Sequence, residues 1–190
     1  MRLSDKLHIV IPIYGDDGDT IIAHVHSAPI SRDVFDAHFM LLGRTFAAIY
    51  SSGLGPVAGP RVAHLLLKKM AAEQNDEVGA VALVAEIVRL TNVMLRTEKG
   101  WEAIPYQTVL DHGMLPAEDL AEVTNALVFF TVLSSTHRRM ERREMMAGAA
   151  KLWGAQISSQ DFTEFAASLP TSTPTNAIQK AVVAASLPVY

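Results

Sequence analysis

The feature that most restricts the fold of this chain is an apolar run in the middle of residues 116–153. Seven of the eight residues at 126–133 are apolar, and they occupy every side of a helix rather than a single stripe. A helix with this pattern is normally buried on all sides by its neighbours. The run is too short for a membrane span, which needs about 20 apolar residues. The sequence therefore predicts one central core helix over residues 116–153, with a buried first half and an exposed second half.

The N-terminal segment predicts a β-hairpin. Residues 7–14 and 20–27 each alternate apolar and other side chains, and the Gly/Asp-rich residues 15–19 between them are a turn signal. Since Pro12 has no backbone donor, we expect the first strand to lie at a sheet edge or to break there. Two strands alone are marginally stable, so the hairpin must pack on helices or pair with another sheet, which a second copy of the protein could supply.

Apolar residues at spacings of three and four predict further helices. These helices cover residues 32–50, 60–74, 78–95, 106–112 and 161–169. Ser31 is the expected N-cap of the first, and residues 158–161 resemble a capping box before the last. We expect the buried stripe of the third to contain Val81, Val84, Ala85, Val88 and Leu95. Residues 51–59 and 97–105 are then expected to be loops.

The predicted fold class is α+β and mainly α-helical. Residues 1–169 are expected to form a single domain in which an N-terminal β-hairpin, within residues 1–30, packs on a multi-helix bundle made by residues 31–169. Residues 170–190 are expected to be a Ser/Thr/Pro-rich linker and a C-terminal tail with a weak helix. A chain of 190 residues, of which 49% are apolar and 19% charged, is large and apolar enough for such a core.

Composition excludes several kinds of function. The absence of cysteine excludes disulfides, thiolate zinc sites and cysteine nucleophiles. The formal charge of −4 argues against a general nucleic-acid-binding protein, which is usually basic. Neither a signal peptide nor a membrane span is expected.

Two patterns superficially resemble metal and phosphate sites. His24 and His26 share one face of a strand, but metal sites need three or four ligands, so a half-exposed strand face without a metal is expected. The pattern Gly53-x-Gly55-x-x-x-Gly59 follows a helix and lacks the Gly-Lys-Ser/Thr ending of a phosphate loop, so we interpret it as a helix–helix linker.

No catalytic constellation is recognisable in the sequence. The chain has no Gly-x-Ser-x-Gly elbow. The carboxylates of Glu118, Asp119 and Glu122 are expected to face solvent, which makes them weak candidates for acid–base catalysis. We therefore expect neither an enzyme nor a bound cofactor.

The strongest basic cluster lies in residues 137–144, where four arginines accompany two glutamates. One interpretation is a solvated end of the core helix, where positive charge suits the helix dipole. The other is that the arginines contact acidic groups on a protein partner, with neighbouring methionines as an adaptable contact surface. Nucleic acid is less favoured because no aromatic residues are interleaved. The candidate partner-binding residues are Arg138, Arg139, Arg142, Arg143, Met145 and Met146.

Six stretches of the sequence together resemble one protein family. They are residues 9–15 (IVIPIYG), 27–35 (SAPISRDVF), 45–51 (TFAAIYS), 58–63 (AGPRVA), 152–156 (LWGAQ) and 163–173 (TEFAASLPTST). These stretches are similar to the tail assembly chaperones of long-tailed bacteriophages, and the resemblance extends over residues 9–173.

The resemblance implies a non-enzymatic protein of virion morphogenesis in the cytoplasm of the infected host cell. Its partners would be the tape-measure protein, which it coats, and the tail-tube protein, which it helps to polymerise. Many members of the family have a longer form made by translational frameshifting, and the linker at residues 170–175 would suit such a boundary. The hairpin edge would also allow a homo-oligomer. The alternatives are a structural virion subunit of the tail or connector, and a small helical enzyme or ligand-binding protein with a polar pocket.

Overall fold

The computed structural model describes residues 7–170, except for the side chains of Arg139 and Met140. Over these residues the fold is α+β and mainly helical, as predicted. The predicted tail beyond residue 170 lies outside the described residues. The elements in chain order are β1 (His8–Tyr14), β2 (Ile21–Ser27), α1 (Arg32–Ser51), α2 (Gly55–Ala72), α3 (Glu77–Arg89), β3 (Thr91–Thr97), β4 (Gly100–Pro105), α4 (Tyr106–His112), α5 (Ala117–Thr136), α6 (Arg139–Leu152), β5 (Gln156–Ser158) and α7 (Phe162–Ser168).

The predicted hairpin is present, and it forms the centre of an antiparallel sheet with strand order β4-β3-β2-β1-β5. The remaining strands come from the same chain, so a second copy is not needed to complete the sheet. The expectation of an edge position for β1 is wrong for the strand as a whole. However, β5 pairs only with His8 to Val10. Among residues 7–170, Pro12 therefore has a paired strand on one side only, where a residue without a donor is tolerated.

The core lies between one face of the sheet and the helices. Alternate residues of β1, namely Ile9, Ile11 and Ile13, are buried on this face because side chains of a strand alternate between its two sides. Helix α5 packs against α1, α2, α3, α6 and β1. Its buried residues are Leu120, Val123, Ala126, Leu127, Val128, Phe129, Phe130, Val132, Leu133 and Ser134. The predicted central core helix is thus confirmed for its first half.

The single helix predicted over residues 116–153 is wrong, because the chain breaks at His137 and Arg138. Both have extended backbone, with ψ angles of 149° and 151°. Side chains of the preceding turn bond back to carbonyl oxygens of α5: the Ser135 hydroxyl donates to Thr131 over 2.7 Å, and the Thr136 hydroxyl to Val132 over 2.9 Å. These side chains satisfy the end of the helix locally, and α6 then starts as a separate element.

Residues 51–59 were expected to be a linker, which is wrong beyond residue 54. Helix α2 begins at Gly55 and contains Gly59 and Pro60. A Cβ atom on Gly59 would lie 2.7 Å from Cε2 of Phe129, so only glycine allows α2 and α5 to approach this closely. The local Gly/Pro signal is overruled by packing between these two helices.

The helix predicted over residues 78–95 is wrong in its second half. Helix α3 ends at Arg89, and β3 follows at once. The predicted loop at residues 97–105 contains β4, with Trp101 paired with Arg96 of β3. Leu95, expected on a helical stripe, is a strand residue. Val88 and Leu95 are seven residues apart, a spacing that also fits a helix, and it concealed the alternating β-branched residues after position 90.

Three local sequence signals mark the ends of helices. The backbone N–H of Val34 donates to the Ser31 hydroxyl, as expected of an N-cap. Helix α4 ends at Gly113, whose φ of 57° is the left-handed conformation that glycine adopts easily. The capping box before α7 is present, but Asp161 and Glu164 form it rather than a box that starts at Ser158.

Candidate functional site

An open apolar groove lies between α2 and α3. Its volume is about 570 Å³, and Gln107 of α4 also lines it. The walls include His64 and Lys68 from α2, and Val81, Val84 and Val88 from α3.

Two small, buried side chains line the groove between the two helices, namely Ala71 of α2 and Ala80 of α3. Above them, Val81 exposes 71% of its surface and its neighbour Val78 exposes 84%. Exposed apolar surface that is contiguous in this way is typical of a binding surface for another molecule.

Polar groups form the rim of the groove. The backbone N–H of His64 donates to Oδ1 of Asn125, 3.0 Å away on α5. Burial, with a smaller contribution from the charge of Lys68, lowers the pKa of the His64 imidazole. Lys68 and Glu77 place one charge of each sign beside the apolar wall. The arrangement is suited to binding an apolar side of an amphipathic segment.

The sequence prediction missed this groove because it assigned the wrong face of α3 to the core. The buried residues of α3 are Ala80, Leu83, Ile87 and Val88. Of the predicted stripe, only Val88 is fully buried, whereas Val81 and Ala85 are exposed and Val84 is half-buried. The helix carries apolar residues on two sides, which is more than one core contact requires. That surplus is the signal that could have indicated a binding face.

The predicted partner-binding residues do not share one environment. Arg138 and Arg143 are exposed and Arg142 is half-buried, whereas the side chain of Arg139 lies outside the described part of the structure. Met145 is 39% exposed. Met146 is only 2% exposed and packs in the core, so it does not contribute to a contact surface on the folded chain.

The break before α6 also changes the electrostatic setting of these arginines. They begin α6 instead of ending α5, so the interpretation of a helix end favoured by its dipole is wrong. Positive side chains in a first helical turn lie near the positive end of the dipole and are disfavoured there.

His24 and His26 lie on the sheet face opposite the helical core, and α7 covers them. The ring of His26 lies 4.9 Å from His8 and 5.4 Å from Phe165. His26 is 1% exposed, so a half-exposed face is correct for His24 but wrong for His26. Burial lowers the pKa of both imidazoles. Within residues 7–170, no group of three or more histidines and acids has the geometry of a metal site.

The acidic residues at the start of α5 border a different cavity of about 340 Å³. Asp119 and Glu122 line it together with Arg61, whose Nε lies 3.9 Å from Oε1 of Glu122. Glu118 is exposed. Among the described residues that line this cavity, no serine or histidine stands beside the carboxylates.

Comparisons with protein-family models, curated proteins and solved structures gave no match to this chain. Among the helices of residues 7–170, none combines the length and apolar character needed to cross a membrane. A functional proposal therefore rests on the surfaces described above and on the resemblance in the sequence.

Proposed function

We propose that this protein is a tail assembly chaperone of long-tailed bacteriophages. It binds apolar helical segments of the tape-measure protein in the groove between α2 and α3 and promotes polymerisation of the tail-tube protein. It acts in the cytoplasm of the infected cell and catalyses no reaction. The observation that supports the binding step is the exposed apolar groove, and the family assignment rests on the six resembling stretches of sequence.

A helix is the partner element that the groove fits best. Helix α3 has 13 residues, which corresponds to a length of about 20 Å at 1.5 Å per residue. A helix placed along it would present apolar residues at spacings of three, four and seven to the valine wall. Each buried valine or leucine side chain would contribute about 1.5–3 kcal/mol to association.

The rim of the groove is compatible with a reversible contact. Lys68 and Glu77 stay at the surface beside the valines. Ion pairs with such exposed charges contribute about 0–1 kcal/mol each, so they orient a partner more than they hold it. A chaperone must leave its client when the tail tube forms, and a small apolar contact with a polar rim satisfies that requirement.

The sheet offers a separate route to self-association. Strand β4 is an outer strand of the sheet, and its Glu102 and Ala103 are exposed. An unpaired strand edge can add a strand from another chain. We propose that the homo-oligomer contact lies at this edge.

Co-expression with the tape-measure protein, followed by affinity capture, tests the proposal. We expect the two proteins to be recovered together, and an unrelated coiled-coil protein of similar length to be left in the flow-through. Recovery of the coiled coil in equal amount would show that the protein binds amphipathic helices without selectivity. Failure to recover the tape-measure protein would contradict the proposal.

Mass spectrometry of purified virions separates the proposal from the alternative of a structural subunit. A chaperone is expected in infected-cell extracts and absent from the particles. A constant amount of the protein per particle would instead support a tail or connector subunit.

A further inference from the structure

A third cavity, of about 400 Å³, lies where the N-terminus of α1 meets the junction of α5 and α6. Its positive side chains are Arg32, Arg138 and Arg142, and the ring of His137 also lines it. Among the described residues that form the cavity, none is acidic. We call this the basic cavity.

Two of the three arginines in the basic cavity lack a carboxylate partner. Arg32 is paired, since its Nη2 lies 2.9 Å from Oδ1 of Asp36. Neither Arg138 nor Arg142 takes part in an ion pair among residues 7–170. The cavity therefore carries uncompensated positive charge on a chain whose formal net charge is −4.

The side chain of Arg142 shows that an acceptor is missing. Its Nε is inaccessible to solvent and has no hydrogen-bond acceptor within the described part of the chain. Its Nη2 donates only a long bond, 3.4 Å, to the carbonyl oxygen of His137. Because Nε is closed to solvent, an anion in the cavity would accept hydrogen bonds from the terminal Nη groups of this guanidinium, which make no short bond within the described part of the chain.

The arginines are not needed to close the end of α5. The last turn of that helix is closed by its own side chains, including Nδ1 of His137, which lies 2.8 Å from the carbonyl oxygen of Leu133. Helix α6, by contrast, begins at Arg138 with no side-chain cap. The negative charge of a carboxylate at this place would offset the unfavourable positive charge at the start of the helix.

The rest of the cavity wall favours a peptide over a nucleic acid. Pro29, Ile30 and Phe35 give the cavity an apolar side. The guanidinium carbon of Arg32 lies 5.1 Å from the centre of the Phe35 ring and occupies one of its faces, which leaves less of the ring for stacking by a base. A carboxylate beside an apolar side chain matches both halves of this wall.

We propose that the basic cavity binds an acidic peptide segment of a protein partner. One carboxylate of that segment pairs with Arg138 and Arg142, and a neighbouring apolar side chain packs on Pro29 and Ile30. This site is separate from the α2–α3 groove, so either proposal can fail while the other holds.

The test measures binding of a fluorescein-labelled peptide, Gly-Glu-Phe-Glu-Leu-Gly with a blocked C-terminus, to the full chain at low ionic strength. The matched probe has glutamine in place of both glutamates. We expect the acidic peptide to bind about tenfold more tightly or better, because charged hydrogen bonds are about twice as strong as neutral ones. Equal affinity for the two peptides, or no binding of either, would overturn the proposal.

Two double variants with the same change in charge locate the site. The variant R138Q/R142Q should lose about tenfold or more in affinity for the acidic peptide. The control R44Q/R96Q removes two exposed arginines that do not line the cavity, and it should keep affinity to within about threefold. Thermal unfolding verifies that both variants are folded. An equal loss in both would show general charge attraction and would overturn the proposal.

Competition distinguishes the ligand class. Unlabelled acidic peptide should displace the probe at lower concentration than single-stranded DNA or inorganic phosphate does. Displacement by DNA at the lower concentration would assign the cavity to phosphates and would contradict the peptide proposal.

Discussion

The backbone N–H of His64 in α2 donates a hydrogen bond to the side-chain oxygen of Asn125 in α5, over 3.0 Å. The amide nitrogen of the same Asn125 donates to the carbonyl oxygen of Ala121, over 2.9 Å, which fixes the direction of the side chain. One asparagine thus connects the wall of the apolar groove to the most buried helix of the protein.

Replacing Asn125 by alanine should lower the free energy of unfolding by about 1 kcal/mol, the usual contribution of one such hydrogen bond. The variant Asn125→Asp keeps an acceptor for the His64 N–H but places a second oxygen beside the Ala121 carbonyl oxygen, so it should lose about as much stability. Urea denaturation of the three proteins gives the values. If the alanine variant is as stable as the parent, the bond does not fasten the groove to the core.

Gly59 lies at the close contact of α2 with α5, whereas Gly148 of α6 has open space around it. We therefore expect opposite effects when each is replaced by alanine. Gly59→Ala should destabilise by about 1–3 kcal/mol, because its Cβ would overlap the Phe129 ring. Gly148→Ala in α6 has no atom near its Cβ, and it should stabilise by up to about 1 kcal/mol through helix propensity. Equilibrium unfolding measures both. A Gly59→Ala protein as stable as Gly148→Ala would contradict the observed helix spacing.

The core position of Phe130 predicts a large effect of truncation. Phe130 is 1% exposed, and its ring packs edge to face against the Phe129 ring, with 5.3 Å between the two ring centroids. Phe130→Ala should cost about 3–5 kcal/mol. Phe39 is 54% exposed, and Phe39→Ala should cost less than about 1 kcal/mol. Chemical denaturation compares the two, and similar losses would mean that the run at 126–133 is not the centre of the core.

The histidines under α7 predict a dependence of stability on pH. Burial lowers the pKa of His26 below its ordinary value of 6.5, although the hydrogen bond to Gln160 and the charge of Asp161 oppose the shift. The unfolded chain therefore takes up a proton at a higher pH than the folded chain does. The free energy of unfolding should be independent of this group above about pH 7 and should fall as pH decreases through 6.5.

The variant His26→Phe isolates this effect, since it keeps a ring against Phe162 and Phe165. Its stability is expected to fall less between about pH 7.5 and pH 5 than that of the parent protein. Thermal unfolding at a series of pH values gives the two slopes. Parallel slopes would show that His26 does not couple proton uptake to unfolding.

The sequence predicts those parts of the fold that depend on local signals. The hairpin, the Ser31 cap, the Gly113 stop and the apolar run in α5 are each specified by residues close together in the chain. The predictions fail where contacts between residues that are distant in sequence determine the local structure. Gly59 has the local signal of a linker, and only its contact with the Phe129 ring, far along the chain, shows that it lies inside α2.

The candidate site is harder to predict for the same reason. Apolar residues on α3 do not indicate which side faces the core, because Val81 and Leu83 satisfy similar spacing rules. Only the packing of α3 on α2 shows that Val81 is exposed. Likewise, Arg138 and Arg142 are evident in the sequence, but their position at the start of α6 depends on the break at His137.

The central claim is that the α2–α3 groove binds the tape-measure protein. The most direct test compares the affinities of two valine variants for a segment of that protein. Val81 in the groove is 71% exposed and Val57 at the start of α2 is 70% exposed, but only Val81 lines the groove. We predict that Val81→Asp weakens binding about tenfold or more, since a buried valine contributes about 1.5–3 kcal/mol. Val57→Asp should leave the affinity unchanged. Equal affinities for the two variants, measured by titration calorimetry, would contradict the assignment of the groove as the binding site.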